Sequence, residues 1–375
     1  MIALNKIRNT NCDSILCITV AILVLIGIVM VFSSSAAYTV RDHNDSYYFL
    51  KKQILWCVLG TVLLLFTKTL DYHKLHQYAY PIMVFTFLLL IIVTFPEFSK
   101  KVGGARRWLT LGGFSFQPSE LAKFTLVLFI AKSLVKRADK LRNFAYGYLP
   151  NLIVLGFFFI PILFQPDFGT AMIIFAVTFS MLFIAGLRKK FLFLSILAIV
   201  PFIASAILTA EYRTKRIIAF VDPWKDPSGI GFQVIQSFYA FGRGGFWGTG
   251  LGQSSQKLFR LPEAHTDFIF SVIGEELGFI GTTAIVILFS IFIWRGFITA
   301  YRAKDPFGTH LATGLTLLIG LQAFINLGVA SGLLPTKGLT LPFISMGGSS
   351  MLVTMLSVGV LLNISKQAKK GLTMY

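Results

Sequence analysis

The residues best placed to do chemistry in this sequence are ionisable side chains at the ends of long apolar runs. Taking a charge out of water there is costly, so each one needs a reason. Leu261-Pro262-Glu263-Ala264-His265-Thr266-Asp267-Phe268 leads into such a run, and Asp267 stands where a polar stretch meets the membrane. A carboxylate at that boundary can act as a general base; the same residue type also caps helices. His265 lies two residues earlier on the same approach. On a helix, Asp267, Ser271, Gly274, Glu275 and Gly278 fall within roughly a 100° arc. That polar, small-residue face suits the interior of a bundle or a cavity.

Three further strings carry charge or broken backbone into apolar surroundings. Gln117-Pro118-Ser119-Glu120-Leu121-Ala122-Lys123 opens a run with helix-start residues, and Glu120 and Lys123 share one helix face. Lys123 reads either as an internally paired lysine or as a cation at the mouth of a cavity, offered to an anionic head group. Gln165-Pro166-Asp167-Phe168-Gly169-Thr170 reads as a tight turn with Asp167 as an N-cap. Pro335 to Pro342, followed by Ser345-Met346-Gly347-Gly348-Ser349-Ser350, cannot continue a helix and brings Lys337 with it. Irregular backbone at membrane depth is tolerated only inside protein or along a watery cavity.

Between these strings lies a polar stretch, residues 210–266, with seven Lys/Arg against four Asp/Glu. It includes Arg213, Lys215 and Arg216, an Asp222-Pro223-Trp224-Lys225 turn, and Gly242-Arg243-Gly244-Gly245, which could cradle a phosphate on backbone N–H groups. An anionic ligand therefore fits better than a cationic one. No paired carboxylates at glycosidase spacing, no nucleophile elbow and no P-loop are present.

The elements that must position these residues are membrane spans. Of 375 residues, 55% are hydrophobic and 13% charged, with 38 Phe, and mean hydropathy is +0.74. Soluble domains carry about 25% charged residues, so a soluble enzyme is excluded. Disorder is excluded as well, because it needs low hydrophobicity. The net charge of +18 is assigned to loop topology signals and an anionic lipid partner rather than to nucleic acid. Cys12, Cys17 and Cys57 lie in or beside apolar runs, with neither disulfide nor zinc spacing.

The expected fold is all-α, one polytopic domain over residues 1–375. Ten spans are expected, at 13–35, 53–68, 79–95, 119–135, 148–164, 168–187, 191–209, 267–294, 310–331 and 349–365. The first is read as uncleaved. Residues 210–266 then form a large loop between spans seven and eight. Basic clusters such as Lys136-Arg137 and Arg188-Lys189-Lys190 place both termini in the cytoplasm and this loop outside.

The strings over Tyr212–Gly281, with Asp222-Pro223-Trp224, Ala240-Phe241-Gly242-Arg243-Gly244 and Leu261 to Phe270, closely resemble the SEDS family. So do Gln117-Pro118-Ser119-Glu120, Gln165-Pro166-Asp167 and Gly332-Leu333-Leu334-Pro335-Thr336-Lys337-Gly338. Pro223-Trp224, Ala264 before His265, and Gly274-Glu275-Glu276-Leu277-Gly278 resemble its cell-division branch. Met346 departs from the family, which usually has an aromatic residue there.

The resemblance implies a peptidoglycan glycosyltransferase of the cytoplasmic (inner) membrane, concentrated at the division septum, that polymerises lipid II into glycan strands. It implies Asp267 as the catalytic acid residue and Glu120 and Lys123 as cavity-lining residues. Arg216, Arg243, His265 and Lys337 join these as substrate-binding candidates. The implied partners are lipid II and the growing glycan, a class B penicillin-binding transpeptidase (FtsI type) and other divisome membrane proteins. No resident cofactor is expected; a divalent cation such as Mg2+ is the alternative. A lipid II flippase and a non-enzymatic divisome scaffold are the rival functions.

Overall fold

A computed structural model describes residues 12–43, 45–102, 105–111, 114–191, 193–195, 197, 201, 211–256 and 264–372. Its described helices are α1 (Ser14–His43), α2 (Tyr48–Thr69), α3 (Tyr72–Ile92), α4 (Pro118–Lys136), α5 (Leu149–Phe164), α6 (Phe168–Ile184), α7 (Glu211–Val221), α8 (Phe232–Gly244), α9 (Ile269–Tyr301), α10 (Pro306–Ala330) and α11 (Gly348–Leu372). Seven spans among the described residues are long and apolar enough to cross a membrane. α6 is apolar but shorter, and α4 carries Glu120, Lys123 and Lys132. The expected span over 191–209 lies almost wholly outside the described residues, as do Leu261, Pro262 and Glu263.

The helices sort into an inner set and an outer set. α4, α10 and α11 are buried along most of their length. α4 packs on α3 and α10, α10 also on α6 and α9, and α11 along α2. α2 and α3 leave Leu55, Val58, Val62, Leu65, Phe66, Val84 and Leu88 exposed. In water such faces would be an aggregation surface; a lipid environment accounts for them. Asp13, just before α1, is buried and accepts Arg295 Nε at 2.9 Å, which ties the start of α1 to the far end of α9.

Two expectations need correction. The all-α expectation fails at residues 99–116. They form an antiparallel three-stranded sheet, β1 (Ser99–Val102), β2 (Ala105–Leu111) and β3 (Phe114–Phe116), in the order β1-β2-β3. The sequence carries Gly103-Gly104 and Gly112-Gly113 between these strands, a hairpin signal. The fold is therefore predominantly rather than wholly helical. The stretch 210–266 also holds the amphipathic helices α7 and α8, joined by a 3-10 turn at Pro223–Lys225 that Asp222 caps through Trp224 N at 3.1 Å.

α9 is interrupted at Gly278, whose φ of 65° and ψ of −160° suit glycine. The break frees four backbone groups, and the strand-like segment after α8 takes them up. Thr249 N donates to Glu275 O at 2.9 Å and Gly250 N to Glu276 O at 3.0 Å; Phe279 N donates to Gly245 O at 2.9 Å and Ile280 N to Phe246 O at 3.4 Å. The 245–250 segment is thus stitched into the helix, where an uninterrupted α9 would have offered no partners.

Candidate functional site

The four charged or broken strings converge. Asp167 caps α6 through Thr170 N at 3.2 Å, as its sequence position predicts. Its other oxygen accepts Gln117 Nε2 at 3.1 Å and Ser119 Oγ at 3.2 Å, joining the Gln165 string to the Gln117 string. Gln117 N donates to Ser349 Oγ at 2.9 Å, joining the Gln117 string to the one that begins at Pro335. Arg107 of β2 donates to the carbonyls of Gln165 and Pro166 and fixes the sheet to the same corner.

The non-helical chain from Gly332 to Gly347 is the centre of this assembly. It enters the bundle: the Phe343 carbonyl lies against Gly27, midway along α1. Its deepest part, residues 341–345, is buried in protein, as irregular backbone at membrane depth requires. Ser345 Oγ donates to the Thr266 carbonyl, and Met346 N to the His265 carbonyl at 3.0 Å. The turn carrying Asp267 is therefore pinned to this loop on either side.

Asp267 is half-buried immediately before α9, whose capping position falls on Phe268. A Cβ added to Gly338 would lie 3.1 Å from Asp267 Oδ2, so the carboxylate packs against the backbone at that glycine. Next to Gly338, Lys337 is half-buried with its Nζ 5.1 Å from the Phe168 ring centroid. Burial pushes the Lys337 ammonium below the ordinary lysine range, and the charge of Arg216 adds to this. Arg216 is exposed and donates to the neighbouring Thr336 carbonyl at 3.3 Å. Asp267 and Arg216 thus meet the same stretch of loop, Thr336 to Gly338, that carries Lys337.

Lys123 is 2% exposed and Glu120 6%. Lys123 Nζ donates to Glu120 Oε1 at 2.9 Å and to Gln322 Oε1 at 2.7 Å. Gln322 Nε2 in turn donates to the Thr340 carbonyl at 3.0 Å. Four residues on along α10, Asn326 Nδ2 donates to the carbonyls of Asp267 at 3.0 Å and Leu339 at 2.6 Å. Sequence reasoning missed Gln322 and Asn326. Their signal was two amides spaced i, i+4 on an otherwise apolar helix.

The remaining candidates lie elsewhere. The His265 ring stacks on Phe49 at 4.5 Å. Exposed Arg243 donates to Ser255 Oγ, and Ser255 N and Oγ donate to buried Glu275 at 3.0 and 3.1 Å. Arg243 therefore belongs to the anchor of the 254–256 segment. Gly242–Gly244 close α8, and the carbonyls of Gly244 and Gly245 accept from Gly248 and Phe279. A helix C-terminus presents carbonyls, not the N–H groups a phosphate cradle needs. The face of α9 that carries Ser271 and Gly274 packs on α8: Ser271 Oγ lies 2.6 Å from Ser237 Oγ, and Gly274 meets the Phe241 ring. Among the described residues no three His, Cys, Asp or Glu side chains converge to hold a metal ion.

These features define a polytopic helical membrane protein in which a carboxylate and two basic residues meet one non-helical loop inside the bundle. Residues 13–370 match the family model of FtsW, RodA and SpoVE proteins, described as cell cycle protein, and the chain belongs to that family. It is 46% identical over 362 residues to the probable peptidoglycan glycosyltransferase FtsW of Geobacter sp. strain M18, covering 96% of this chain and 99% of the relative. It is 42% identical over 363 residues to stage V sporulation protein E of Bacillus subtilis strain 168, covering 96% and 99%. Among solved structures, it resembles a chain described in work on structural coordination of polymerization and crosslinking by a peptidoglycan synthase complex. That match has a TM-score of 0.79 at 32% identity and covers 95% of this chain and 98% of the other. The rod shape determining protein RodA of Thermus thermophilus matches with a TM-score of 0.70 at 28% identity, covering 95% and 97%.

Proposed function

We propose that this chain is a peptidoglycan glycosyltransferase of the cell-division type, polymerising lipid II at the outer face of the cytoplasmic membrane. The observation that carries this reading is the corner where the Asp267 carboxylate packs against Gly338, with Lys337 next to that glycine and Arg216 of α7 bonded to the Thr336 carbonyl. The acceptor sugar's 4-hydroxyl attacks C1 of the growing glycan, and Asp267 takes the hydroxyl proton. A new C–O glycosidic bond forms, and the bond from C1 to the pyrophosphate oxygen breaks. The electron pair leaves on the prenyl pyrophosphate, and Lys337 and Arg216 stabilise the charge that develops there. Glu120 and Lys123 act from behind the site, through Gln322 and the Thr340 carbonyl, while His265 on Phe49 and Arg243 on Ser255 hold local structure. Mg2+ is commonly held by one or two carboxylates plus substrate phosphates. Such an ion would be held by Asp267 and the substrate's pyrophosphate and would help neutralise the charge on the leaving group.

Purified chain, reconstituted with a class B penicillin-binding transpeptidase, is expected to convert fluorescent lipid II into long glycan strands. Movement of lipid II across proteoliposome bilayers with no strand formed would favour a flippase instead. Recruitment of the transpeptidase with neither activity would favour a scaffold.

The proposed topology is ten spans in a single transmembrane unit, with 210–266 outside and both termini in the cytoplasm at the septum. With Cys12, Cys17 and Cys57 replaced, a cysteine placed at exposed Trp247 should react with an impermeant maleimide in intact spheroplasts. One placed at Arg142 should react only after lysis. The reverse pattern would invert the orientation.

A further inference from the structure

From the geometry around α10 we infer that Asn326 is the positioning residue for Asp267, an assignment that rests on the glycosyltransferase reading above. Asn326 is 1% exposed, so its amide is fully committed to the interior. Both partners of Nδ2 are carbonyl oxygens, Asp267 O at 3.0 Å and Leu339 O at 2.6 Å. Two acceptors require the NH2 end, which fixes the amide orientation. Among the described residues its Oδ1 has no hydrogen-bond partner, so this asparagine serves as a two-pronged donor.

The two prongs join the two segments that must stay in register for the reaction. One ends on the residue proposed as the base. The other ends two residues after Lys337 and next to Gly338, against which the Asp267 carboxylate packs. The Ser345 and Met346 bonds hold Thr266 and His265 to a later part of the same loop. The two Asn326 bonds act directly between Asp267 and the Lys337-Gly338 end of the loop. Gln322, one turn earlier, holds Thr340 and extends the clamp along the helix. The side chain of Asn326 touches Asp267 only through the backbone carbonyl, so its effect on a proton transfer would run through placement.

A misplacement of about 1 Å at a reacting group can cost about 10²-fold in rate. Asn326→Leu, of the same branched shape though bulkier, removes both donors and should lower kcat for lipid II polymerisation by about 10²-fold. KM for lipid II should stay within about twofold, because the anion-binding cations are untouched. Asn326→Gln keeps the donors on a stem one methylene longer. It should fold even if the leucine variant does not, and it should lose about tenfold in kcat.

The assay is strand formation from fluorescent lipid II by full-length chain with its transpeptidase partner, alongside a melting curve in the same detergent. A kcat loss in both variants, with KM held and folding matched, supports the assignment. Near wild-type kcat in the folded glutamine variant overturns it, as does a loss carried by KM alone, while an inactive Asp267→Asn leaves the base reading standing. Near wild-type turnover in Asp267→Asn overturns the base reading and this inference together.

Discussion

Asp267→Asn is expected to lower lipid II polymerisation by about 10²–10⁴-fold, the usual loss when a general base is removed. Asparagine keeps the size and shape of the side chain, so its packing against Gly338 is retained. Asn and Asp are nearly equivalent helix N-caps, so any capping role would change stability by a fraction of the roughly 1 kcal/mol a lost cap costs. The capping position of α9 falls on Phe268 in any case. The backbone bonds from Asn326, Ser345 and Met346 do not involve the Asp267 carboxylate and should persist. What asparagine cannot do is accept a proton from an attacking hydroxyl. The measurement is strand formation by variant and wild type with the same transpeptidase partner, at matched membrane level and matched melting temperature. Turnover near wild type in a folded variant would remove Asp267 from the chemistry.

Much of this site was legible because its residues break the pattern around them. Asp267 and Asp167 stand at the ends of apolar runs, and Pro335 and Pro342 interrupt another; hydrogen bonds from Gln117 to Asp167, from Gln117 N to Ser349 and from Ser345 to the Thr266 carbonyl bring these strings together. The Asp167 cap and the Asp222 turn formed as their local chemistry dictates. What was not legible depended on partners far away in sequence. Nothing local says that the small-residue face of α9 will be covered by α8, or that Gly278 will exchange hydrogen bonds with the 245–250 segment. The phosphate-cradle reading of Gly242-Arg243-Gly244-Gly245 failed for a related reason. A glycine-rich string shows that the backbone can bend or approach closely, and only its place at the end of α8 decides which backbone groups it presents. The sheet at 99–116 carried its own signal in the paired glycines, but it sat between runs read as helices.

The buried pair on α4 supplies the largest expected stability change. Lys123→Met leaves the Glu120 carboxylate, 6% exposed, without its cation and Gln322 Oε1 without its donor. Breaking a buried ion pair from one side typically costs about 3–5 kcal/mol, because the surviving charge stays desolvated. The single variant should therefore melt well below wild type. Replacing a buried pair on both sides is often close to neutral, so Lys123→Met combined with Glu120→Gln should recover most of the lost stability. The two substitutions would then show strong coupling in a double-mutant cycle, as expected of residues in direct contact.

Recovered folding separates structure from function. In the double variant, Gln322 has lost a charged donor, a bond worth about 1.5–3 kcal/mol, and its hold on the Thr340 carbonyl is looser. Because Thr340 lies three residues from Lys337, turnover should remain about tenfold or more below wild type even though the protein is folded. Detergent melting curves and lipid II turnover on the two single variants and the double variant test both halves. If the double variant melts like the worse single one, the pair is not a coupled unit. If it recovers both stability and turnover, Lys123 and Glu120 serve the bundle alone and have no part in the reaction.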